Sequence, residues 1–298
     1  MLRAVIREAG EADFAVATEL LNRLAPYRVG SAAGLLHAAR AEPEVAQRRF
    51  WAAEVDGALA GWGTAVADYE STESAGFVNV AVAREHWGHG IGSELLQACL
   101  EHVAELGADV ARGRSESDEH SRAFAQGRGF VQTHAMRVSA VDPRTVAPPP
   151  PFPGVQLVPL ETVTPEAAFE LDVDVSADVP NEQLDAVELE QWVADHWRHP
   201  DRDLEASTAL LLDGELAACS YVRITPDGRS VTDFTGTRRE HRGRGLAEAV
   251  KRATLAKAAA RGATIAITHN DSTNLPMLRV NERLGYRPLA ELLAWSRP

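Results

Sequence analysis

The chain has 298 residues, of which 45% are hydrophobic and 24% are charged, and these fractions are ordinary for a folded globular protein. The formal net charge of −13 argues against nucleic acid as the main partner, because binding its phosphates requires a basic surface. No run approaches the roughly 20 apolar residues that cross a bilayer, so we expect no membrane-spanning segment.

The opening segment and the cysteines predict a cytoplasmic protein. Residues 1–14, MLRAVIREAGEADF, contain no apolar stretch of the signal-peptide type. The two cysteines, Cys99 and Cys219, both stand among apolar residues. We therefore expect buried free thiols rather than a disulfide.

The first half reads as strands and helices around a central hairpin. LRAVIREA predicts an opening strand, and DFAVATELLNRL predicts a helix. RRFWAAEVDGALAGWGTAVA predicts a hairpin, because Asp56-Gly57 is a strong two-residue turn signal. The strand GFVNVAVA leads into a glycine loop, and IGSELLQACLEHVAELG predicts a long helix that ends at glycine. The strand ADVARGR, the short helix HSRAFAQGRG and a closing strand follow.

A proline-rich segment, DPRTVAPPPPFPG at 142–154, separates this half from a second half with the same plan. Landmark residues recur across the segment in one order and at nearly one spacing. The recurring pairs are Asp56 with Asp213, Gly90 with Gly245, and Gly129 with Gly285. Such a repeat indicates a duplicated domain. We therefore predict two domains, residues 1–142 and 154–298, joined by a linker at 143–153.

The second half places matching elements in the same order. They are the strand VQLVPL, the helical patterns AFELDV and VELEQWVADHW, the hairpin STALLLDGELAACSYVRI, the strand VTDFTGTR, the helix LAEAVKRATLAKAAARG, the strand TIAITHN and the helix LPMLRVNERLG. Each half therefore reads β-α-α-β-β-β-α-β-α-β. This order predicts an α/β fold of two tandem domains, each a mixed, mostly antiparallel sheet flanked by helices.

The segment EHRGRGLAEAVK, residues 240–251, gathers two arginines, two glycines and a histidine before a helix. The first N–H groups of a helix have no partners within it, and the helix dipole adds partial positive charge there. Glycine permits positive φ and close approach of the backbone, so this start predicts a site for phosphate or pyrophosphate. Neither half contains the GxxxxGK[ST] of a Walker loop. The loop also follows several strands, which a dinucleotide-binding fingerprint does not.

The loop has the pattern R-x-x-G-x-[GA] from Arg242 to Ala247, and the first half has Trp87 to Gly92 at the same place. With its strand order and loop together, the chain resembles the GNAT superfamily of acyl-CoA-dependent N-acetyltransferases in a tandem form. The resemblance covers nearly the whole chain and is most specific over residues 78–98, 233–257 and 270–286. It implies acetyl-CoA (coenzyme A) as the cofactor, with its pyrophosphate in the loop and its pantetheine arm along the preceding strand.

The resemblance implies cofactor contacts in both halves. In the first half the implied residues are Val80, Val82, Gly88, His89, Gly90, Ile91, Gly92 and Ser93. In the second half they are Thr235, Thr237, Arg242, Gly243, Arg244, Gly245, Leu246, Ala247 and Asn274. Asn274 is equally suited to cap the following helix. The first half departs from the pattern at Trp87, where the family usually has Arg or Gln, and this departure weakens its phosphate site.

Acyl transfer from a thioester to an amine needs a proton acceptor for the amine and an N–H donor for the developing oxyanion, and an acid can protonate the leaving thiolate. By the resemblance, Asp233 is the base and the backbone N–H of Thr237 is the oxyanion donor. A paired structural carboxylate is the alternative role for Asp233. The family's usual acid, a tyrosine four residues before the closing glycine, is replaced by Asn281 in the second half and Ala125 in the first. Tyr286 and Tyr221 are the remaining candidates for this acid.

An acidic run and two histidines are further candidates for substrate binding or metal binding. The run LDVDVSADVPNEQLD, residues 171–185, includes Asp172, Asp174, Asp178 and Glu182. These carboxylates offer negative charge to a protonated amine, although a solvated loop is the simpler interpretation. His196 and His199 stand three residues apart without a carboxylate and cysteine set to complete a metal site, so we predict a surface helix end and no metal.

Three functions remain open from the sequence. The first is an N-acetyltransferase that moves an acetyl group from acetyl-CoA to a primary amine, with catalysis in the second half. The second places catalysis in the first half, whose GHGIGSELL is a clean cofactor loop. The third is a non-catalytic CoA-binding regulatory protein, because both halves lack the tyrosine. We predict a small-molecule amine as substrate, and neither nucleic acid nor membrane as partner.

Overall fold

A computed structural model describes residues 4–181 and 186–298, and the chain divides into two compact units. The first unit contains Met1–Ala135 and Leu292–Pro298, and the second contains Met136–Glu291. The division at 142–154 predicted from the sequence concerns the two repeats and stays a prediction.

The first repeat contains the predicted elements in the predicted order. They are β1 (Val5–Glu8), α1 (Phe14–Leu24), α2 (Ala32–Ala41), β2 (Arg49–Val55), β3 (Ala58–Ala67), β4 (Ala75–Val82), α3 (Ile91–Glu105), β5 (Val110–Glu116), α4 (Glu119–Gln126) and β6 (Val131–Val141). The Asp-Gly hairpin forms because Asp56 and Gly57 both adopt left-handed backbone angles, with φ of 50° and 78°.

The second repeat follows the same order. Its elements are β7 (Val155–Pro159), α5 (Pro165–Ser176), α6 (Leu189–Trp192), β8 (Thr208–Leu212), β9 (Glu215–Ile224), β10 (Arg229–Thr237), α7 (Leu246–Ala260), β11 (Ile265–Asp271), α8 (Leu275–Arg283) and β12 (Arg287–Arg297). A π-helical turn at Val193–Trp197 continues α6. The predicted α/β fold with two repeats is confirmed.

The sheet of each unit is antiparallel except at one pair of strands. In the first unit the order is β1-β2-β3-β4-β5, and residues 292–297 of β12 pair with β5. In the second unit the order is β7-β8-β9-β10-β11, and residues 136–141 of β6 pair with β11. Each repeat therefore supplies a strand segment to the other repeat's sheet.

In both units the two parallel strands separate partway along their length, and the candidate site lies where they separate. β4 and β5 pair only over Ala75–Phe77 and Val110–Arg112, and β10 and β11 pair only over Arg229–Val231 and Ile265–Ile267. Beyond these residues the two strands of each pair part. We call the gap the first opening in the first unit and the second opening in the second unit.

The strands before the two loops differ by a bulge. β10 has a register shift against β9 between Thr232 and Phe234, so Asp233 is an extra residue in the strand. β4 pairs with β3 in one continuous register over Gly76–Val82. A bulge of this kind bends the strand and turns a side chain out of the regular alternation. Asp233 therefore has no counterpart in the first repeat.

Each unit has its own apolar core. One cluster of the first unit joins α3 to β4 and β5 and includes Val78, Leu96 and Phe130. A cluster of the second unit joins α5 and α6 to β9 and includes Trp192 and Tyr221. Cys99 and Cys219 are free and fully buried, as predicted, and burial raises the pKa of the Cys99 thiol to about 12.

Within residues 4–181 and 186–298, no helix has both the length and the apolar character needed to cross a membrane. No cluster of three or more His, Cys, Asp or Glu side chains among them is arranged to hold a metal ion.

Candidate functional site

The glycine loop of the second unit leaves the start of α7 open. Gly243 and Gly245 have φ of 76° and 82°, which glycine adopts without strain. A Cβ at Gly243 would meet no atom within 4 Å, so the space over the loop is clear. Gly245 is the N-cap of α7, and no side chain caps this helix, whereas Asn274 caps α8 and Thr164 caps α5. The first amides of α7 are therefore left for a ligand.

The loop of the first unit has the same backbone. Gly88 and Gly90 have φ of 79° and 88°, and Gly90 is the N-cap of α3 without a side-chain cap. In the backbone the two loops are equivalent, so the difference between the two loops lies in their side chains.

The residue at the start of the loop differs in charge but makes the same bond. Arg242 Nε donates to the carbonyl oxygen of Thr237 at 3.1 Å, and Trp87 Nε1 donates to the carbonyl oxygen of Val82 at 2.8 Å. Trp87 therefore replaces the structural contact of the arginine and leaves out its positive charge. Arg242 Nη1 also donates to Asp178 at 2.6 Å.

An aromatic stack lies beside the loop of the first unit. The ring of Trp87 stacks on the ring of His120 with centroids 4.1 Å apart and planes at 1°. Trp87 follows the end of β4, and His120 lies in the first turn of α4, which follows β5. Because these strands flank the first opening, the stack bridges its two sides. The equivalent residues of the second unit are Arg242 and Pro276, which cannot form such a stack.

The strand residues before the loop of the second unit have different partners. The hydroxyls of Thr235 and Ser220 lie 2.9 Å apart and bond to each other. Thr237 Oγ1 is buried and has no hydrogen-bond partner in the described part of the chain. The Arg238 N–H donates to the Ala217 carbonyl. Because successive N–H groups of an antiparallel strand point to opposite sides, the Thr237 N–H points into the second opening.

Asp233 is held by two arginines. Arg223 donates to both carboxylate oxygens at 2.6 and 2.7 Å, and Arg202 Nη1 lies 3.1 Å from Oδ2. The side chain of Asp233 is 20% exposed and that of Arg202 is 3% exposed. Burial alone would raise the pKa of Asp233, but the charges of the two arginines lower it to about 2. The paired state therefore makes Asp233 a weak base.

Asn281 and Tyr286 lie in the interior of the second unit. Asn281 Oδ1 accepts from Lys251 Nζ at 2.8 Å, and Asn281 Nδ2 donates to Asn270 Oδ1 at 2.7 Å. Tyr286 is buried, and its burial raises the pKa of its hydroxyl. Tyr221 is also buried and donates to the Ala168 carbonyl at 3.2 Å.

Lys251, which contacts Asn281, was not among the residues predicted from the sequence. The signal was present, because a lysine occupies a position on the apolar side of LAEAVKRATLAKAAARG, four residues from both Ala247 and Leu255 in the helical repeat. Its role depends on which residues lie across from it, and this information is not local to the helix.

The remaining predicted cofactor residues are mostly backbone candidates. The side chains of Ile91 and Leu246 are buried in the cores, so only their N–H groups face the loops. Ser93 Oγ accepts from Arg128, and His89 Nδ1 lies 2.9 Å from the Trp87 carbonyl oxygen. In the first unit, Val80 packs on the core and the Cα of Gly92 faces Phe124. In the second unit, Arg244 Nη1 lies 3.4 Å from His241 Nδ1, and Ala247 lies in the first turn of α7. Asn274 caps α8.

The acidic run is partly helical. Residues 171–176 belong to α5, so the interpretation of the run as one solvated loop is wrong for this part. Asp172 is buried and accepts from the Trp192 indole at 2.9 Å, and Asp174 is half-buried. Asp178 bonds to Arg242 and Arg239, and Glu182 lies outside the described residues.

The two histidines do not form an exposed helix end as predicted. His196 is half-buried, because it lies in the π-helical turn with its ring 5.6 Å from that of Trp192. Burial and the charges of neighbouring arginines lower the pKa of His196 and of His199 to about 4. Both rings are therefore neutral at physiological pH.

Comparison with known families identifies the fold. The profile of the family described as "Acetyltransferase (GNAT) family" matches the chain twice, at residues 16–130 and 172–286. The chain belongs to this family. The two matches correspond to the two repeats, and the glycine loop of each repeat lies within its match. A comparison with curated protein sequences finds no significant match.

Two solved structures resemble the chain over its whole length at low identity. A GCN5-related N-acetyltransferase from Sphaerobacter thermophilus has a TM-score of 0.76 and 17% identity, over 100% of this chain and 98% of that one. A tandem GNAT protein from the clavulanic acid biosynthesis pathway has a TM-score of 0.73 and 18% identity, over 99% of this chain and 98% of that one. At this identity the likeness shows a shared fold.

Proposed function

We propose that the protein is an N-acetyltransferase that moves an acetyl group from acetyl-CoA to the primary amine of a small molecule, and that its second unit carries the reaction. The observation that carries this proposal is the contrast between the two openings. The second opening has an arginine at its loop, whereas an aromatic stack spans the first. Membership of the acetyltransferase family supports the reaction class.

The loop of the second unit fits the diphosphate of coenzyme A. The N–H groups of Leu246 and Ala247 begin α7 without a side-chain cap, and the glycines before them leave the approach clear. Arg242 and Arg244 add full positive charge, which the first loop lacks at Trp87. Acetyl-CoA bound here would supply an acetyl group already activated as a thioester.

The strand before the loop fits the carrier arm and a developing negative charge. The N–H of Thr237 points into the second opening, and its buried hydroxyl lacks a partner among the described residues. An unpaired buried hydroxyl costs about 1–3 kcal/mol, so a ligand that bonds to it gains affinity. We propose Thr237 as the oxyanion donor, because a fixed backbone N–H stabilises such charge.

The proton-transfer groups differ from the family pattern. Asp233 stays our candidate for the base, but its pairing with Arg202 and Arg223 weighs against that role, because a base works best with a pKa near the working pH. Asn281 is bonded on both sides of its carboxamide and cannot release a proton. The Tyr286 hydroxyl is held neutral by burial. Coenzyme A thiolate is itself a good leaving group, so transfer does not require a strong acid.

The first unit serves as a scaffold in this proposal. Because Trp87 and His120 bridge the first opening, an acyl carrier can enter there only if the stack separates. The contacts implied for Val80, Val82 and the loop residues Gly88 to Ser93 are therefore expected to be weak. This expectation leads to a stoichiometry of one acetyl-CoA per chain.

Paired glycine substitutions test which half works. Gly245→Glu places a carboxylate where the diphosphate binds, and Gly90→Glu does the same in the first unit, so the two variants are matched in strain and charge. We expect Gly245→Glu to abolish binding of acetyl-CoA by calorimetry and acetylation of an amine panel, and Gly90→Glu to preserve both. The reverse result would move catalysis to the first unit. Binding without turnover on any amine would favour a non-catalytic CoA-binding protein.

A variant of Asp233 tests the base. Loss of a general base lowers turnover by about 10²-fold or more, so Asp233→Ala should show this loss in folded enzyme. Unchanged turnover would remove Asp233 from the chemistry and leave it as an anchor for its two arginines.

A further inference from the structure

The interior of the second unit is polar at positions where the first unit is apolar. The repeats align without ambiguity here, because α3 and α7 both have 15 residues and both start directly after the loop glycine. The corresponding residues are Lys251 with Leu96, Asn281 with Ala125, Tyr286 with Phe130, and Thr232 with Val78. The four residues of the first unit belong to one apolar core. The second unit has thus replaced a compact apolar group by an amine, an amide and two hydroxyls.

Lys251 is at the centre of this polar group. Its side chain is 1% exposed, and its Nζ donates to Asn281 Oδ1 at 2.8 Å and to Thr268 Oγ1 at 3.3 Å. The ring of Tyr286 lies 4.9 Å from Nζ. No carboxylate in the described part of the chain pairs with it. Burying an amine in this way is unfavourable for folding, and an apolar residue at the same position is what the first unit uses.

The contacts of Lys251 reach the start of the second opening. Thr268 Oγ1 donates to the Thr232 carbonyl at 3.4 Å, and these two residues are the first ones beyond the last paired residues of β10 and β11. Lys251 also fixes the orientation of the Asn281 carboxamide. Because Oδ1 accepts from Lys251, Nδ2 is left to donate, and it donates to Asn270 in the part of β11 that has separated from β10.

Asn281 also borders open space. It lines a cavity of the second unit together with Ser139, Leu278 and Arg137. Asn281 therefore contacts a buried amine and also borders a cavity. It occupies the position where the family resemblance expects the tyrosine acid, four residues before Gly285.

We propose that Lys251 is a positioning residue for acyl transfer, which holds the carboxamide of Asn281 and the separated part of β11 in place at the start of the second opening. This inference rests on the proposed function of the second unit. The protein then loses stability by burying the amine, because the amine holds the polar groups that line the second opening. Misplacement of a positioned group by 1 Å costs about 10²-fold in rate, so loss of the Lys251 hydrogen bonds should slow acyl transfer strongly.

Protonation of Lys251 is sensitive to its surroundings. Burial lowers the pKa of Lys251 to about 7. The groups that face it are the neutral Asn281 of α8 and Thr268 of β11, and Tyr286 is the titratable group in contact. Burial raises the pKa of the Tyr286 hydroxyl, so this hydroxyl stays neutral and leaves Lys251 without a compensating negative charge. A charge that arrives in the second opening will therefore shift the titration of Lys251.

The chain offers a direct observation of this residue, because Lys251 and Lys257 are its two lysines. Protein labelled with ¹³C at the lysine ε-carbon gives two lysine signals by NMR, and Lys257→Arg assigns them. We expect coenzyme A to shift the signal and the titration midpoint of Lys251 and to leave those of Lys257 unchanged. A Lys251 signal that does not respond to saturating coenzyme A would overturn the proposal. This measurement needs no turnover, so with binding of coenzyme A checked by calorimetry, failure of this inference is distinguished from failure of the acetyltransferase proposal.

Kinetics of Lys251→Met supply the second test, with Lys257→Met as the matched control on the same helix. We expect kcat to fall by about 10²-fold while the KM for acetyl-CoA stays within about threefold, because the loop that binds the diphosphate is untouched. The limb of the kcat profile near pH 7 should vanish in the variant. Lys251→Met combined with Asn281→Ala should be no slower than Lys251→Met alone, since both act through one contact. Turnover and pH profile equal to wild type in Lys251→Met would refute a positioning role.

Discussion

Replacement of Lys251 by methionine should change stability in a way that depends on pH. The pKa of Lys251 is lowered from 10.5 to about 7 by burial. The folded state therefore binds this proton more weakly than the unfolded chain does. Between pH 7 and 10.5 the unfolded chain holds more protons, so stability rises with pH in this window. Below pH 7 both states are protonated and the destabilisation by the buried charge is complete.

The magnitude follows from the shift. One pKa unit corresponds to 1.36 kcal/mol, so the buried charge costs about 5 kcal/mol below pH 7 and about 2 kcal/mol at pH 9. Methionine has similar length and no charge. It also leaves Asn281 Oδ1 without its donor, at a cost of about 1–3 kcal/mol that does not depend on pH. The advantage of Lys251→Met over wild type should thus shrink by about 3 kcal/mol from pH 6 to pH 9.

Urea unfolding followed by circular dichroism at pH 6, 7, 8 and 9 measures this difference. Titrations of all other groups cancel when the variant is compared with wild type at the same pH. Leu96→Met, at the corresponding position of the first unit, is the control and should show a difference that is independent of pH. If the difference in free energy of unfolding between Lys251→Met and wild type stays constant from pH 6 to pH 9, Lys251 keeps its proton in the folded protein. The reasoning from burial would then be wrong.

Three further substitutions test the surrounding contacts. Asp233→Asn should lower the free energy of unfolding by about 2–3 kcal/mol, because Arg202 stays buried without its counterion; an unchanged urea midpoint would contradict this. Asp178→Asn should tighten acetyl-CoA binding by about two- to fivefold in calorimetry, because the carboxylate no longer competes for Arg242, and weaker binding would argue against the loop as the phosphate site. Thr237→Val should raise the stability of the unliganded protein by about 1 kcal/mol in thermal unfolding and weaken acetyl-CoA binding, whereas a loss of stability would show that the hydroxyl has a partner.

The elements of both repeats were predictable because their signals are local. The Asp-Gly turns, the glycine loops and the helices after them depend on residues a few positions apart, and the structure has left-handed angles at Asp56, Gly57, Gly90 and Gly245 as these signals require. The repeat itself doubled the information, since each element was read twice. The sequence left two roles for Asn274, a helix cap or a cofactor contact, and in the structure it caps α8.

The surroundings of the candidate site were less predictable, because they combine distant residues. Asp233 was predicted as the base from its place in the strand before the loop, but the bulge makes it an extra residue, and its partner Arg202 comes from a different segment. The stack of Trp87 on His120 likewise joins residues from two sides of the first opening. Neither contact can be predicted from the residues that are neighbours in the sequence.

Local sequence signals were enough to predict the duplicated order of strands and helices and the two glycine loops, since turn geometry and helix starts depend on neighbouring residues. Two features emerged only from the folded structure: each repeat supplies a strand segment to the other's sheet, and Lys251 lies buried against Asn281. Both depend on pairing between segments far apart in the chain. Strand edges offer the same backbone hydrogen bonds to many partners, and a lysine is buried or exposed according to what packs over it.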